Sequence, residues 1–262
     1  MDAGAGGASK SKEHFVLVHG AGHGAWCWFR LLPLLRGSGH SVSCVDLAGA
    51  AGSRVDPGTV TSFDEYTAPL VDLLTALPEG EKVILVGHSA GGLSLTHAMH
   101  IFSDRIKQAI FIAAAMLPFG YETEQDIKDG VPAFSELGDV FDLAFGLGTD
   151  HPPTSMALRV EFQRRILYQE SPQEDCALAS ILLRPWPTAL SAARFGSGVS
   201  GSLIDEVRRV YITTANDCMV KPEQQEAMIR RWPPSEVVAM DTDHSPFFSA
   251  PQQLFQLILK SL

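Results

Sequence analysis

The chain has 262 residues, of which 45% are hydrophobic and 19% charged, and a formal net charge of −10 at pH 7. That is enough apolar sequence for one large core, and an acidic balance that argues against nucleic acid or an anionic membrane surface as a partner. No apolar run reaches the roughly 18 residues of a membrane-spanning helix, and the four cysteines (Cys27, Cys44, Cys176, Cys218) form no CxxC pair, so they read as reduced thiols of a cytoplasmic protein rather than a disulfide framework.

The chain opens with Gly, Ala and Ser-rich residues 1–12, which lack the apolar stretch of a secretory signal and are expected to be a disordered leader. HFVLVHG (14–20) reads as a buried strand ending in a glycine-rich turn, and GAWCWFRLLPLLRGSG follows with apolar residues at helical spacing. HSVSCVDL (40–47) is the next strand. SFDEYTAPLVDLLTALP is a helix announced by Ser62 three residues before Glu65, the pattern of a capping box. KVILVGHS (82–89) is a third strand, GGLSLTHAMHIFSD a helix starting directly after Ser89, and IKQAIFIAAAM (106–116) a fourth strand. Near the end come strand VRRVYITTAND (207–217), helix PEQQEAMIRRW (222–232), strand SEVVAMD (235–241) and helix PQQLFQLILKSL (251–262).

Strands alternating with helices indicate an α/β fold: a mostly parallel six-stranded sheet covered on both faces. The rhythm breaks over residues 117–204, where Gly-Pro punctuation and helical stretches such as SMALRVEFQRRILYQ (155–169) carry little strand signal. This segment is expected to be a helical cap inserted into a core made of residues 13–116 and 205–262.

GHSAGG (87–92) carries the chemistry. Its G-x-S-x-G frame, placed where a buried strand meets a helix, is the pattern of a sharp turn that lifts a serine clear of a sheet. Ser89 is therefore the candidate nucleophile. It needs a base, and the base an orienting acid, in the chain order Ser, Asp, His. Of nine histidines, His244 follows the last strand, at the sheet edge where Ser89 would emerge. His14 and His40 begin strands at the opposite edge, His97 and His100 lie on the following helix, His151 falls in the cap, and His88 faces away on the turn. Asp217 ends the penultimate strand at the same edge and is the candidate acid, ahead of Asp241, Asp243 and Asp205. Two backbone N–H groups should await the oxyanion, those of Ala90 and of Ala21 in the loop HGAGHGAW (19–26). Read as a dinucleotide loop, with Asp46 as the ribose acid, that loop has its third glycine one position early and leaves the three polar residues unexplained.

These stretches resemble the plant methylesterase family of α/β-hydrolases, which also includes hydroxynitrile lyases. The likeness runs from about His14 to Leu262 and is carried by FVLVHGAGHGAWCW, LVGHSAGG and DHSPFFS. It implies the same catalytic Ser89, Asp217 and His244, the oxyanion donors Ala21 and Ala90, a pocket histidine at His23, no cofactor and no metal. KDGVP, SELGDV, FGLG, PPTS and KPEQQEAMIRRWPPSEV are similar to the branch that hydrolyses methyl indole-3-acetate to indole-3-acetic acid and methanol; methyl jasmonate and methyl salicylate are the neighbouring possibilities, and a low-turnover hormone receptor is another. The lyase branch uses a lysine after the catalytic histidine and a threonine in the first loop, where this chain has Ser245 and Gly20. The expected partner is thus a small ester with an apolar aromatic acyl group. Its ring would lie against cap residues, with Trp186, Phe134, Phe145 and Tyr168 the candidates. Family patterns also suggest a homodimer.

Overall fold

The computed structural model describes residues 12–134, 136–196 and 203–262, so residues 1–11 of the expected leader lie outside the described residues. Its core is a six-stranded sheet of β1 (His14–Val18), β2 (Ser41–Val45), β3 (Val83–His88), β4 (Ile106–Ile112), β8 (Arg208–Thr214) and β9 (Glu236–Met240), in the order β2-β1-β3-β4-β8-β9. Every pairing in it is parallel. All six residues of central β3 are buried, whereas edge strand β9 alternates between covered and open positions. The apolar runs and the alternating run thus mark centre and edge.

The core lies on both faces of this sheet. Phe15 and Leu17 of β1 pack with Leu31 and Leu35 of α1 (Leu31–Gly37) and with Leu254 and Ile258 of α9 (Pro251–Lys260). Val16 and Val18, pointing the other way, pack with Leu70 of α2 (Phe63–Thr75), Leu95 of α3 (Gly91–Phe102) and Met228 of α7 (Pro222–Arg231). Side-chain alternation along a strand makes both faces apolar, and each fully buried aliphatic side chain contributes about 1.5–3 kcal/mol. The N-terminus of α2 keeps half of the expected capping box. Ser62 accepts from Glu65 N, but the Glu65 carboxylate turns to Thr61 N.

The segment between β4 and β8 corrects the expectation of an all-helical insertion. It holds α4 (Glu124–Gly130), α5 (Val160–Leu167) and α6 (Gln173–Leu182), but also β5 (Phe141–Ala144), β6 (Ser155–Leu158) and β7 (Trp186–Pro187) in an antiparallel sheet. The stretch read as one helix from Ser155 is strand up to Leu158, and the helix begins only at Val160. Met, Ala and Leu favour helices locally; here cross-strand pairs, Phe141 with Leu158 and Met156 with Trp186, override that preference. A short α8 (Pro246–Ser249) follows β9. Among the described residues no helix is long and apolar enough to cross a membrane.

Candidate active site

The turn after β3 is strained. Ser89 has φ 53°, a left-handed conformation that costs a non-glycine residue roughly 1–2 kcal/mol. Bonds on both sides hold it. Ser89 N donates to Ile112 O at 3.2 Å, and Ser89 O accepts from Gly92 N and Ala115 N, each at 3.0 Å. The surroundings approach so closely that only glycine fits: a Cβ at Gly91 would lie 2.5 Å from His19 O, and one at Gly20 would lie 2.7 Å from Ser89 Cβ. A strained serine over-determined by its neighbours, with helix α3 beginning beside it, is the arrangement of a nucleophile elbow.

The C-terminal ends of β8 and β9 bring Asp217 and His244 together. His244 Nδ1 lies 2.7 Å from Asp217 Oδ2, with both residues buried. Four further donors surround the carboxylate. Met219 N and Val220 N donate to Oδ1 at 2.7 and 2.9 Å. Thr214 Oγ1 and Gln225 Nε2 donate to Oδ2 at 2.9 and 3.2 Å. With its lone pairs aimed at donors, the carboxylate accepts the imidazole proton from Nδ1, which leaves Nε2 as the nitrogen with a free lone pair. Below the pair, His88 donates from Nε2 to His244 O at 2.8 Å. Burial pushes the His88 pKa well down, so it is a neutral support for the His244 loop.

Asp243, wholly buried, holds the same loop from the other side. Its Oδ1 accepts from Ser245 N at 3.1 Å and Ser249 Oγ at 2.8 Å, while Oδ2 accepts from Glu170 N at 3.0 Å and Ser171 Oγ at 2.9 Å in the insertion. Gln225 and Asp243 escaped the sequence reading as supports of the site. Gln225 is one polar residue among several at a helix start. Asp243 reads in the sequence only as a rival acid, since its partners in the insertion lie 72 and 73 positions away in the chain.

The loop after β1 carries Ala21, which with Ser89 and Ala90 lines one cleft. Two neutral histidines fix that loop. His19 donates from Nδ1 to Gly20 O at 2.8 Å and accepts at Nε2 from Leu47 N at 3.1 Å; burial lowers its pKa. His23 donates from Nδ1 to Ala21 O at 3.1 Å and accepts at Nε2 from the Tyr168 hydroxyl at 2.7 Å. Burial brings its pKa down to about 3.

The cleft spans about 730 Å³, its open mouth included, and Tyr121, Phe141, Met156, Trp186, Met219 and Val220 form much of its wall. None of its lining side chains among the described residues is charged. Of the expected pocket residues, Trp186 takes its place here. The others do not. His23 Nε2 and the Tyr168 hydroxyl bond each other outside the cleft, as a pin between the first loop and the insertion. Phe134 lines a neighbouring groove with Cys218 and Lys221. Phe145 is largely exposed, beyond β5. Aromatic content marked the insertion as apolar, but which ring faces inward depends on the hairpin pairing of β5 and β6, which no short motif encodes.

The chain matches the model of the Alpha/beta hydrolase family over residues 15–257. It is 50% identical over 257 residues to Methylesterase 17 of Arabidopsis thaliana, covering 97% of this chain and 92% of that one. It is 42% identical to the pheophorbidase of Raphanus sativus, over 99% of this chain and 97% of the relative. Among solved structures, the methylesterase MES16 from Arabidopsis is 40% identical with a TM-score of 0.82, covering 95% of this chain and 98% of the other. Tomato methylketone synthase I is 33% identical with a TM-score of 0.86, covering 97% and 98%. With the fold, the elbow and these likenesses together, the chain belongs to the alpha/beta hydrolase family, in its plant methylesterase branch, and is an esterase.

Proposed function

We propose that this esterase hydrolyses the methyl ester of a small, apolar aromatic acid, methyl indole-3-acetate before methyl jasmonate or methyl salicylate, through an acyl-enzyme on Ser89. The observation that carries the reading is the buried Asp217–His244 pair, 2.7 Å apart, at the sheet edge where the Ser89 elbow emerges. His244 Nε2 takes the Ser89 proton as Oγ attacks the ester carbonyl carbon. The carbonyl oxygen becomes an oxyanion held by the N–H groups of Ala21 and Ala90. The carbon–oxygen bond to methanol then breaks, with His244 returning the proton to the leaving oxygen. Water, losing a proton to His244, attacks the acyl-enzyme, and the free acid departs as Ser89 is reprotonated.

Asp217 stabilises the imidazolium formed in each half of this cycle, and its five donors hold it in place against His244. The uncharged cleft suits a neutral aromatic ester better than the carboxylate product, which favours release. The preference for the indole ester draws on the similarity of the insertion segments to that branch. Hydrolysis of the three methyl esters is the test. The indole ester is expected to give the highest kcat/KM, and Ser89→Ala is expected to abolish turnover with the fold intact. Turnover surviving in that variant refutes the mechanism, and a higher kcat/KM for either other ester refutes the substrate.

A further inference from the structure

Four consecutive residues of the insertion, Tyr168 to Ser171, are bonded to all three loops that carry the chemistry. They follow α5 directly and form a turn, closed by Ser171 N donating to Tyr168 O at 3.2 Å. Toward the loop after β1, the Tyr168 hydroxyl donates to His23 Nε2 at 2.7 Å, and His23 Nδ1 in turn donates to Ala21 O. Toward the loop after β8, Gln169 Nε2 donates to Asn216 O, and Glu170 Oε1 accepts from Asn216 Nδ2 at 2.7 Å. Asn216 is the chain neighbour of Asp217. Toward the loop after β9, Glu170 N and Ser171 Oγ donate to Asp243 Oδ2 at 3.0 and 2.9 Å, next to His244. Tyr168, Ser171 and Asp243 are buried, so water does not replace a bond lost among them. None of the four residues lines the cleft that holds Ser89.

We propose that residues 168–171 are a positioning element for catalysis, and that Asp243 is the positioning residue through which Ser171 aligns His244. The inference rests on the esterase reading above and gives part of the insertion a role in turnover rather than in holding the ester. Asp217 fixes the Nδ1 side of the imidazole, and His88 the carbonyl of residue 244. The loop beyond is held by Asp243, whose Oδ1 takes Ser245 N and Ser249 Oγ while Oδ2 takes the turn of the insertion. Ser171 therefore bears on the base through a single carboxylate. Proton transfer needs His244 Nε2 within hydrogen-bond reach of Ser89 Oγ, and a misplacement of about 1 Å costs up to about 10²-fold in rate. A residue that only props up the fold would weaken substrate binding along with turnover. A positioning residue lowers kcat and leaves KM in place.

The test compares the full-length protein with Ser171→Ala, Asp243→Asn, their double variant and Tyr168→Phe. Two rates are read: steady-state hydrolysis of methyl indole-3-acetate, and the single burst of p-nitrophenolate from diethyl p-nitrophenyl phosphate. In the burst Ser89 Oγ bonds to phosphorus, the bond to p-nitrophenolate breaks and the serine proton passes to His244, so the rate reports the base without an acyl ring in the cleft. Ser171→Ala is expected to lower kcat and the burst rate about tenfold, with KM within about twofold of the native value. Asp243→Asn is expected to lower both rates further, and Ser171→Ala to add no further loss in that background, because the serine acts through the carboxylate. A native kcat in folded Ser171→Ala, a loss carried by KM, or losses that multiply in the double variant overturn the inference. Tyr168→Phe keeps the ring and removes only the bond to His23. Should Ser171→Ala fail to fold, a fall in kcat at unchanged KM in Tyr168→Phe supports the positioning element, and a native kcat there overturns it. A burst without methyl ester hydrolysis in the unsubstituted protein would refute the substrate alone, and the burst rates would still decide the positioning role. Neither burst nor hydrolysis would sink the esterase mechanism and this inference with it.

Discussion

Replacing Asp217 by Asn removes one charge and one acceptor oxygen at an almost unchanged volume. In the native site Oδ1 takes the fixed backbone N–H groups of Met219 and Val220 at 2.7 and 2.9 Å. Those donors cannot rotate, so they claim the single amide oxygen of the variant. Its NH2 group must then face His244 Nδ1, which sits 2.7 Å from Oδ2 in the native protein. An N–H can bond there only to a lone pair, and that tautomer carries its proton on Nε2, the nitrogen meant to receive the Ser89 proton. In serine hydrolases with a Ser-His-Asp triad the same exchange lowers kcat by about 10⁴, or about 5 kcal/mol of transition-state stabilisation. The new NH2 also opposes Gln225 Nε2, which lies 3.2 Å from Oδ2. That clash of donors costs about 1–3 kcal/mol, lowering Tm by roughly 2–12 °C at about 2–4 °C per kcal/mol. Steady-state hydrolysis of the methyl ester, with circular dichroism to verify folding, measures both effects. A folded Asp217→Asn variant whose kcat stays within tenfold of the native value would show that His244 does not work through Asp217.

Three other perturbations follow from the same geometry. A Cβ in Gly20→Ala would meet Ser89 Cβ at 2.7 Å and His88 O at 3.0 Å, so the loop must retreat and take Ala21 N–H with it. The expected loss is about 10²-fold in kcat, and native kcat in purified Gly20→Ala would contradict the oxyanion assignment. Ser89→Gly and Ser89→Ala are both expected to be inactive, but at φ 53° only glycine relieves the strain. The glycine variant should be about 1 kcal/mol more stable, a Tm higher by roughly 2–4 °C; equal melting points would mean the turn stores no strain. His23 is held neutral down to about 3 in the native state against 6.5 when free. Its contribution to stability is therefore complete above about pH 6.5 and is lost as the pH falls toward 3, because the unfolded chain binds the extra proton. Urea unfolding of His23→Gln should show a shallower loss of stability between about pH 6 and 4, by up to about 1.4 kcal/mol per pH unit, and parallel profiles would refute the buried neutral imidazole.

The six core strands were legible because each is a short apolar run closed by a helix signal, and their parallel order carries Ser89, Asp217 and His244 to one edge. The G-x-S-x-G frame could be read for the same reason: every residue in it answers a local backbone demand, as the contacts a Cβ would make at Gly91 attest. The insertion was less legible. Ser155 to Leu158 has helix-favouring residues and becomes a strand only through partners at Phe141 and Trp186. Histidine and tyrosine at 23 and 168 were picked out for a pocket and turn out to bond each other. Their chemistry suits either role, and a separation of 145 positions along the chain hides which one geometry selects.

The divided carboxylate of Asp243 sets where this protein can be remodelled. One oxygen is committed to residues 245 and 249 beside the base, the other to residues 170 and 171 of the insertion. The insertion is consequently fastened to the His244 loop at residues 170 and 171, while among the described residues no hydrogen bond ties the β5–β6 hairpin to the imidazole. Sequence changes around Phe141 and Met156 can then reshape the cleft while Asp217 and His244 keep their registration.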